Sequence, residues 1–265
     1  MPSYYQLLGR QEQADGSIIA RYMSTIHAQG AWNENEQHMA PATGIISHEL
    51  QHFSPRTAMR IARISLDIFG LIHAGEFKIT TRTIRAGRTI ELIESVLTAK
   101  GKVSITARAW RLQMSDTSAV AGLEDTPVAI SDNRWPMDVQ WAGGFIKSIQ
   151  ACTDDRRAGS GVVWLSNDLE MVEGVPTTDF VRLMGMVDAA NGVVPRIEQQ
   201  TIEWLFPNLD LQIHLYRLPV GKRLGLQSVQ QIGDDGIGLT SSILHDELGP
   251  FGRSEQILTV RQRHG

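Results

Sequence analysis

Two stretches of the chain follow one plan: residues 41–114 and 177–263 each open with a helical pattern and continue as a meander of long alternating strands. A single helix ahead of a long antiparallel sheet can bury its apolar face only against that sheet. Each copy therefore predicts a curved sheet wrapped around one helix. Two anchors bring the copies into register, Ser65-Leu66-Asp67 against Asn208-Leu209-Asp210 and Gly101-Lys102 against Gly252-Arg253. Extended along the chain, they set Ser65 against Asn208 and Ile105 against Gln256, so the second copy has two amides where the first has a hydroxyl and an apolar side chain. A duplicated scaffold with one polar half directs attention to that half.

Around the copies, the local patterns are ordinary. Residues 4–11 and 17–27 lean towards β and are joined by Ala14-Asp15-Gly16, which predicts an opening hairpin. Ile45, Ile46, Leu50 and Phe53 give residues 42–53 a helical spacing, closed by Ser54-Pro55. Strands are expected over 60–69, 76–85, 89–98 and 103–112, with turns at Ala86-Gly87 and Lys100-Gly101 short enough to make the sheet antiparallel. Residues 113–135 lose all periodicity and gather Ser, Thr, Asp and Pro, the composition of a connector. Strands over 145–151 and 161–172 then take the place of the opening hairpin, and Thr178 caps a helix over 179–190 stopped by Asn191-Gly192. Four more strands, 208–217, 222–233, 237–245 and 253–263, complete the second meander. The expected organisation is thus an α+β N-terminal unit over 1–114, a linker over 115–135 and a C-terminal unit over 136–265.

Composition narrows the function. With 42% hydrophobic residues in 265, the chain supports a substantial core. It has no run of about eighteen apolar residues such as a membrane span requires, and residues 1–30 lack the basic start and apolar run of a secretory signal. The lone Cys152 excludes an intrachain disulfide, so a cytoplasmic protein without a membrane span is the expectation. A net charge of −4 gives no reason to expect nucleic acid as a partner. Two basic groups, Arg82, Arg85 and Arg88 around one turn and Arg217, Lys222 and Arg223 around another, are either solvated strand edges or contacts for the phosphates of a nucleotide-bearing ligand.

One literal motif competes for the function. His48-Glu49-Leu50-Gln51-His52 places two histidines one helical turn apart with a glutamate between them, the arrangement of a zinc peptidase. Its extended form fails, because Pro55 and Ala58 stand where a third-ligand version needs Gly and His. A later helical glutamate is equally absent from the strand patterns of 56–114. The expectation is no metal, with Ile45, Ile46, Leu50 and Phe53 facing the sheet and His48, Glu49 and His52 towards the rim.

Beyond periodicity, specific residues carry a likeness. Val187-Asp188-Ala189-Ala190-Asn191-Gly192, Phe206-Pro207-Asn208-Leu209-Asp210-Leu211, Gly236-Ile237-Gly238-Leu239 with Leu244-His245-Asp246, and Gly252-Arg253-Ser254-Glu255-Gln256 together resemble the acyl-CoA thioesterase II-like family. Trp32, His38, Gly44 and the Arg85-Ala86-Gly87-Arg88 turn agree in outline with that family's first half. The resemblance covers roughly residues 30–263 and implies a double hotdog fold, each half a curved antiparallel sheet wrapped around one long helix. It also implies an acyl-CoA or related acyl thioester as substrate, no cofactor beyond the CoA of the substrate, and a homodimer or higher homo-oligomer. In such enzymes an aspartate, a threonine and a glutamine hold the hydrolytic water; the matching positions here are Asp188, Asn208 and Gln256. Asn208 departs from the pattern, as does Met39-Ala40-Pro41-Ala42 where relatives have a glycine-rich entry to the helix. The implied chemistry needs no nucleophilic Ser or Cys: Asp188 takes a proton from the water while the two amides aim its lone pair at the carbonyl. Read alone, Asp188 sits at a helix C-terminus where its charge opposes the dipole, a position that function would have to justify. A hotdog protein that binds acyl-CoA without hydrolysing it is the alternative.

Overall fold

The computed structural model describes residues 1–197 and 203–262. Its opening hairpin is as expected, β1 (Ser3–Glu12) paired with β2 (Ile18–Ser24). The first helix, α1 (Met39–His52), begins before the predicted residue 42. Pro41 falls in its first turn, where a missing N–H breaks no helical bond, and the His38 side chain caps the start by accepting the Ala40 N–H at 3.0 Å. Four antiparallel strands follow close to their predicted places: β3 (Met59–Ile68), β4 (Glu76–Arg85), β5 (Ile90–Ala99) and β6 (Lys102–Gln113).

The second half departs more from expectation. After β7 (Arg134–Trp135) come two single-turn helices, α2 (Met137–Gln140) and α3 (Gly144–Lys147), where a strand over 145–151 was expected. A short apolar run does not by itself distinguish strand from buried turn, and here a close approach decides. A Cβ on Gly144 would meet the Ile26 carbonyl oxygen at 1.8 Å, so α3 is pressed onto the segment that leads into α1. The expected strand over 161–172 is divided into β9 (Ser160–Ser166) and β10 (Glu170–Val172), with β8 (Gln150–Arg157) before them. β10 crosses over to pair in parallel with β1, tying the second half to the edge of the first. Thr178 caps α4 (Asp179–Val187) as predicted, but the helix ends at Asp188 and a further turn, α5 (Ala190–Val193), follows. Then come β11 (Trp204–Leu205), β12 (Asp210–Leu215), β13 (Arg223–Ile232), β14 (Ile237–Asp246), β15 (Gly249–Thr259) and β16 (Arg261–Gln262). Residue 263, the predicted end of the last strand, lies outside the described residues.

The two halves share one 14-stranded sheet, joined where β3 and β12 run antiparallel with Ile64 against Ile213 and Leu66 against Leu211. Inside it α1 and α4 pack on each other and on the strands of their own halves. They meet at two glycines: a Cβ added to Gly44 would stand 2.9 Å from the Gly185 Cα. Arg111 closes the far end of α1, donating to the carbonyls of Leu50 at 2.6 Å and Ser54 at 3.1 Å and pairing with Glu91 at 3.1 Å.

The duplication holds, but its register differs from the sequence anchors. The β4–β5 turn runs from Arg85 to Ile90 and the β13–β14 turn from Ile232 to Ile237; the β5–β6 turn runs from Ala99 to Lys102 and the β14–β15 turn from Asp246 to Gly249. These equal spans match Thr81 with Ser228 and Ser95 with Ser242, and each pair makes the same buried hydroxyl hydrogen bond of 2.7 Å. Both anchors had slipped, in opposite directions. Gln256 corresponds to Ala109 and not to Ile105, and Ser254 to Ala107. Across the inner face of the second half, Gln256, Thr240 and Gln230 stand in one cross-strand row and Ser254, Ser242 and Ser228 in the next, all buried. The matching rows of the first half read Ala109, Ile93, Thr83 and Ala107, Ser95, Thr81. Polarity is concentrated in the second half more strongly than the sequence alone indicated.

Two competing readings are decided by the packing. Arg82, Arg217, Lys222 and Arg223 lie against Glu94, Asp246, Asp168 and Asp132, and Arg85 donates to the Ile90 carbonyl, so five of the six basic side chains are engaged within the protein. In the H-E-x-x-H segment Glu49, expected at the rim, is fully buried and takes the Arg10 guanidinium and the Tyr22 hydroxyl. The His48 and His52 rings lie together at a centroid separation of 4.2 Å, with His52 Nδ1 at 2.8 Å from the His48 carbonyl of its own helix, while Glu49 is turned away to Arg10 and Tyr22. Among the described residues no group of three or more His, Cys, Asp or Glu is placed to hold a metal ion, and no helix is long and apolar enough to cross a membrane.

Candidate active site

Asp188, Asn208 and Gln256 come together from three separate elements. Asp188 is the C-cap of α4, Asn208 lies on the irregular approach to β12, and Gln256 points inward from the middle of β15. One carboxylate oxygen, Asp188 Oδ1, accepts from Asn208 Nδ2 at 2.9 Å and from Gln256 Nε2 at 2.9 Å. Asn208 Nδ2 also reaches the Asp210 carbonyl at 3.1 Å, which fixes which end of the amide faces the carboxylate. Both amides are therefore donors to Asp188. Their oxygens remain free of that task, and Gln256 Oε1 is buried without a hydrogen-bond partner.

Burial governs the electrostatics. Asp188 is 5% exposed, and desolvation raises its carboxyl pKa to about 6 against the smaller opposing effect of the two amide donors. Facing its second oxygen, Oδ2, is His38 Nδ1 at 3.5 Å. The two do not form an ion pair, because burial pushes the imidazole down to about 3 and leaves it neutral. Since Nδ1 accepts the Ala40 N–H, the proton of the neutral ring sits on Nε2. In the sequence His38 stands out only through the family outline; with the helix expected from residue 42, its N-cap role is visible only in the fold. Phe145 packs against its ring with centroids 4.4 Å apart.

Asp188, Asn208 and His38 open onto a cavity of about 590 Å³, a size suited to a small-molecule ligand. Its wall includes Trp32, Trp141 and Phe206, three rings set edge to face at centroid separations of 5.4 to 6.0 Å. Trp141 is fixed by donating its indole N–H to the Gly192 carbonyl at 3.0 Å. Phe69, Leu71 and Leu209 continue the apolar lining to exposed positions, and Arg261 supplies a cation with no acidic partner among the described residues. Behind the site, Gln230 Nε2 donates to Asn191 Oδ1 at 3.1 Å, and Asn191 Nδ2 donates to the Phe206 carbonyl at 2.9 Å. This second network holds the segment that carries Asn208 and was not foreseen from the sequence.

Comparison with known proteins places the chain. No curated protein sequence matches it. Among solved structures, an acyl-CoA thioesterase II, TesB2, of Mycobacterium marinum superposes with a TM-score of 0.68 at 13% identity, covering 97% of this chain and 96% of that one. A hot dog fold protein of Alicyclobacillus acidocaldarius gives a TM-score of 0.68 at 10% identity over 97% and 96% of the two chains. The tesB protein of Mycobacterium avium subspecies paratuberculosis gives 0.65 at 9% over 96% and 96%. At such identities these likenesses establish the double hotdog fold. Residues 28–112 match the acyl-CoA thioesterase N-terminal domain and residues 124–260, more than half of the chain, match the acyl-CoA thioesterase C-terminal domain. The chain belongs to the acyl-CoA thioesterase family and is a thioester hydrolase.

Proposed function

We propose that the chain hydrolyses acyl-CoA thioesters by direct attack of a water activated by Asp188. The observation that carries this reading is the division of labour around one carboxylate. Oδ1 is held by Asn208 and Gln256, while Oδ2 faces the neutral His38 ring at 3.5 Å with no donor on it and Gln256 Oε1 is unpartnered. A water donating one hydrogen to each keeps its lone pairs free for the thioester carbon. With a pKa of about 6, Asp188 is ionised at neutral pH yet basic enough to take the proton as the carbon–oxygen bond forms. Collapse of the tetrahedral intermediate breaks the carbon–sulfur bond, and the proton on Asp188 passes to the departing thiolate.

The carbonyl oxygen gains charge in the transition state and needs donors. The start of α1 offers two, the Met39 backbone N–H, whose first-turn position has no intrahelical acceptor, and the Nε2–H of His38; both residues line the cavity. Pro41 contributes no donor, and the Ala40 N–H is occupied by His38. Asn208 fits this scheme in place of the family's threonine, because the role it fills is donation to Asp188 Oδ1, which an amide N–H performs. Arg261 offers its charge to the phosphates at the far end of the CoA arm. By the resemblance to hotdog proteins, a homo-oligomer and a cytoplasmic setting belong to the same reading. Free-thiol release measured over acyl-CoAs of graded chain length, beside Asp188→Ala and Gln256→Ala, tests it. Release by the wild type and its loss in both variants is the expected result; binding of acyl-CoA with no release from any chain length would reduce the protein to a binder.

A further inference from the structure

Gln37 lines the same cavity and plays no part in holding Asp188. It precedes His38 in the segment leading into α1 and is pinned twice: its backbone N–H donates to the Ile72 carbonyl at 2.7 Å and its side-chain Nε2 to the His73 carbonyl at 2.8 Å. The second bond settles the amide orientation, since only the NH2 end can donate to a carbonyl. What remains is Oε1, buried in a residue only 4% exposed and without a hydrogen-bond partner. A buried acceptor left unmade is costly, so a rigidly held one in the wall of a substrate cavity indicates a ligand donor.

The donor available in every acyl-CoA is not in the acyl group. A saturated acyl chain has no N–H or O–H, whereas the pantetheine arm carries an amide N–H two carbons from the sulfur. We infer that Gln37 Oε1 accepts a hydrogen bond from an amide N–H of the pantetheine arm and so reads the thiol side of the substrate. The inference rests on the thioesterase reading of the cavity. It makes Gln37 a specificity residue for the carrier arm, in contrast to the apolar ring faces of Trp141 and Phe206, where the Trp141 indole N–H is already committed to Gly192.

The test deletes the bond from both sides. Wild type, Gln37→Met and Gln37→Glu are assayed on three thioesters of one saturated acyl group, hexanoyl, with CoA, N-acetylcysteamine and ethanethiol as leaving groups; only the last lacks an amide. Gln37→Met should lower kcat/KM about tenfold for the two amide-bearing substrates and leave the ethanethiol ester within about twofold. Gln37→Glu, which keeps an oxygen at the same position and in its protonated form still donates to the His73 carbonyl, should retain the preference for amide-bearing thiols below the pH at which that carboxyl ionises. An equal fall on all three substrates would make Gln37 structural and overturn the inference while leaving the thioesterase reading intact. Calorimetric titration with free pantetheine asks the same question without turnover: affinity should fall about tenfold in Gln37→Met, and an unchanged affinity overturns the inference. Gln37-dependent pantetheine binding by a protein that hydrolyses none of the three esters would instead remove the hydrolytic reading and keep this one.

Discussion

The central strands of the first and second halves, β4 to β6 and β13 to β15, share one register and have different interiors. Thr81–Ser95 and Ser228–Ser242 are equivalent hydroxyl pairs with equal 2.7 Å bonds, a shared structural device inherited by both copies. One row away the copies diverge: Ala109, Ile93 and Thr83 in the first half, Gln256, Thr240 and Gln230 in the second. The helices diverge in the same sense. Three residues after its crossing glycine, α1 carries Ser47 and α4 leads to Asp188. Each copy buries a carboxylate, but Glu49 in the first is taken up by Arg10 and Tyr22, whereas Asp188 in the second is held by two amides and opens onto the cavity. The first half contributes differently: His38, Gln37 and Trp32 come from the segment before α1 and complete the wall of the second half's cavity.

Substitutions can break this contrast or sharpen it. The largest effect is expected for Asp188→Asn, which keeps an oxygen for the Asn208 and Gln256 donors but removes the base; kcat should fall about a thousandfold. A fall of less than threefold in thiol release would place the chemistry elsewhere. The same variant should be more stable than wild type at pH 8. Because the folded pKa of Asp188 is raised to about 6, the protonated side chain favours folding below pH 4, and that contribution is lost as pH rises through 6. Removing the ionisable group lifts a penalty of up to ~3 kcal/mol at high pH, read as a higher Tm at pH 8 than wild type and a smaller difference at pH 4.

In the first half the largest expected effect is on folding alone. Arg111 is buried, satisfies carbonyls at the end of α1 and pairs with Glu91, so Arg111→Ala should destabilise by about 3 kcal/mol in chemical denaturation. Its residual folded fraction should keep kcat. Gln256→Leu should lower kcat about a hundredfold with a small change in Tm, whereas Ala109→Ser at the equivalent first-half position should leave kcat within about twofold; a comparable loss from both would erase the distinction between the halves. Smallest of all, Ser95→Ala and Ser242→Ala should each cost about 1 kcal/mol, equally in the two halves, and unequal costs would show that the shared hydroxyl pair has been put to separate uses.

Much of this was legible in the chain because alternation and turn chemistry are local. The four strands of each meander and the Thr178 cap follow from residues read in place, whereas Asp188, Asn208 and Gln256 were singled out only by the family resemblance. What the sequence hid depends on contacts between distant segments. α3 replaces a strand because Gly143 and Gly144 fit against the backbone at Ile26 and Gly30, a constraint invisible in the apolar run Phe145-Ile146. The copy register slipped because Leu-Asp and Gly-basic pairs recur by chance, whereas the turn lengths and the paired hydroxyls that fix it are properties of the folded sheet. Glu49 read as a rim residue because nothing in residues 41–53 reveals Arg10 and Tyr22 waiting on the opening hairpin. Gln37 was silent for the same reason: an orphaned acceptor exists only once its surroundings are known.

The claim that the second half holds an ionisable base poised by burial is tested most directly by the pH dependence of kcat/KM for acyl-CoA hydrolysis. Activity should rise tenfold per pH unit below about pH 6 and level off above it, as Asp188 loses its proton, and the residual activity of Asp188→Asn should show no such rise. A wild-type profile that is level from pH 4.5 to 7.5, or a variant that keeps the inflection, would contradict the assignment of the base to Asp188.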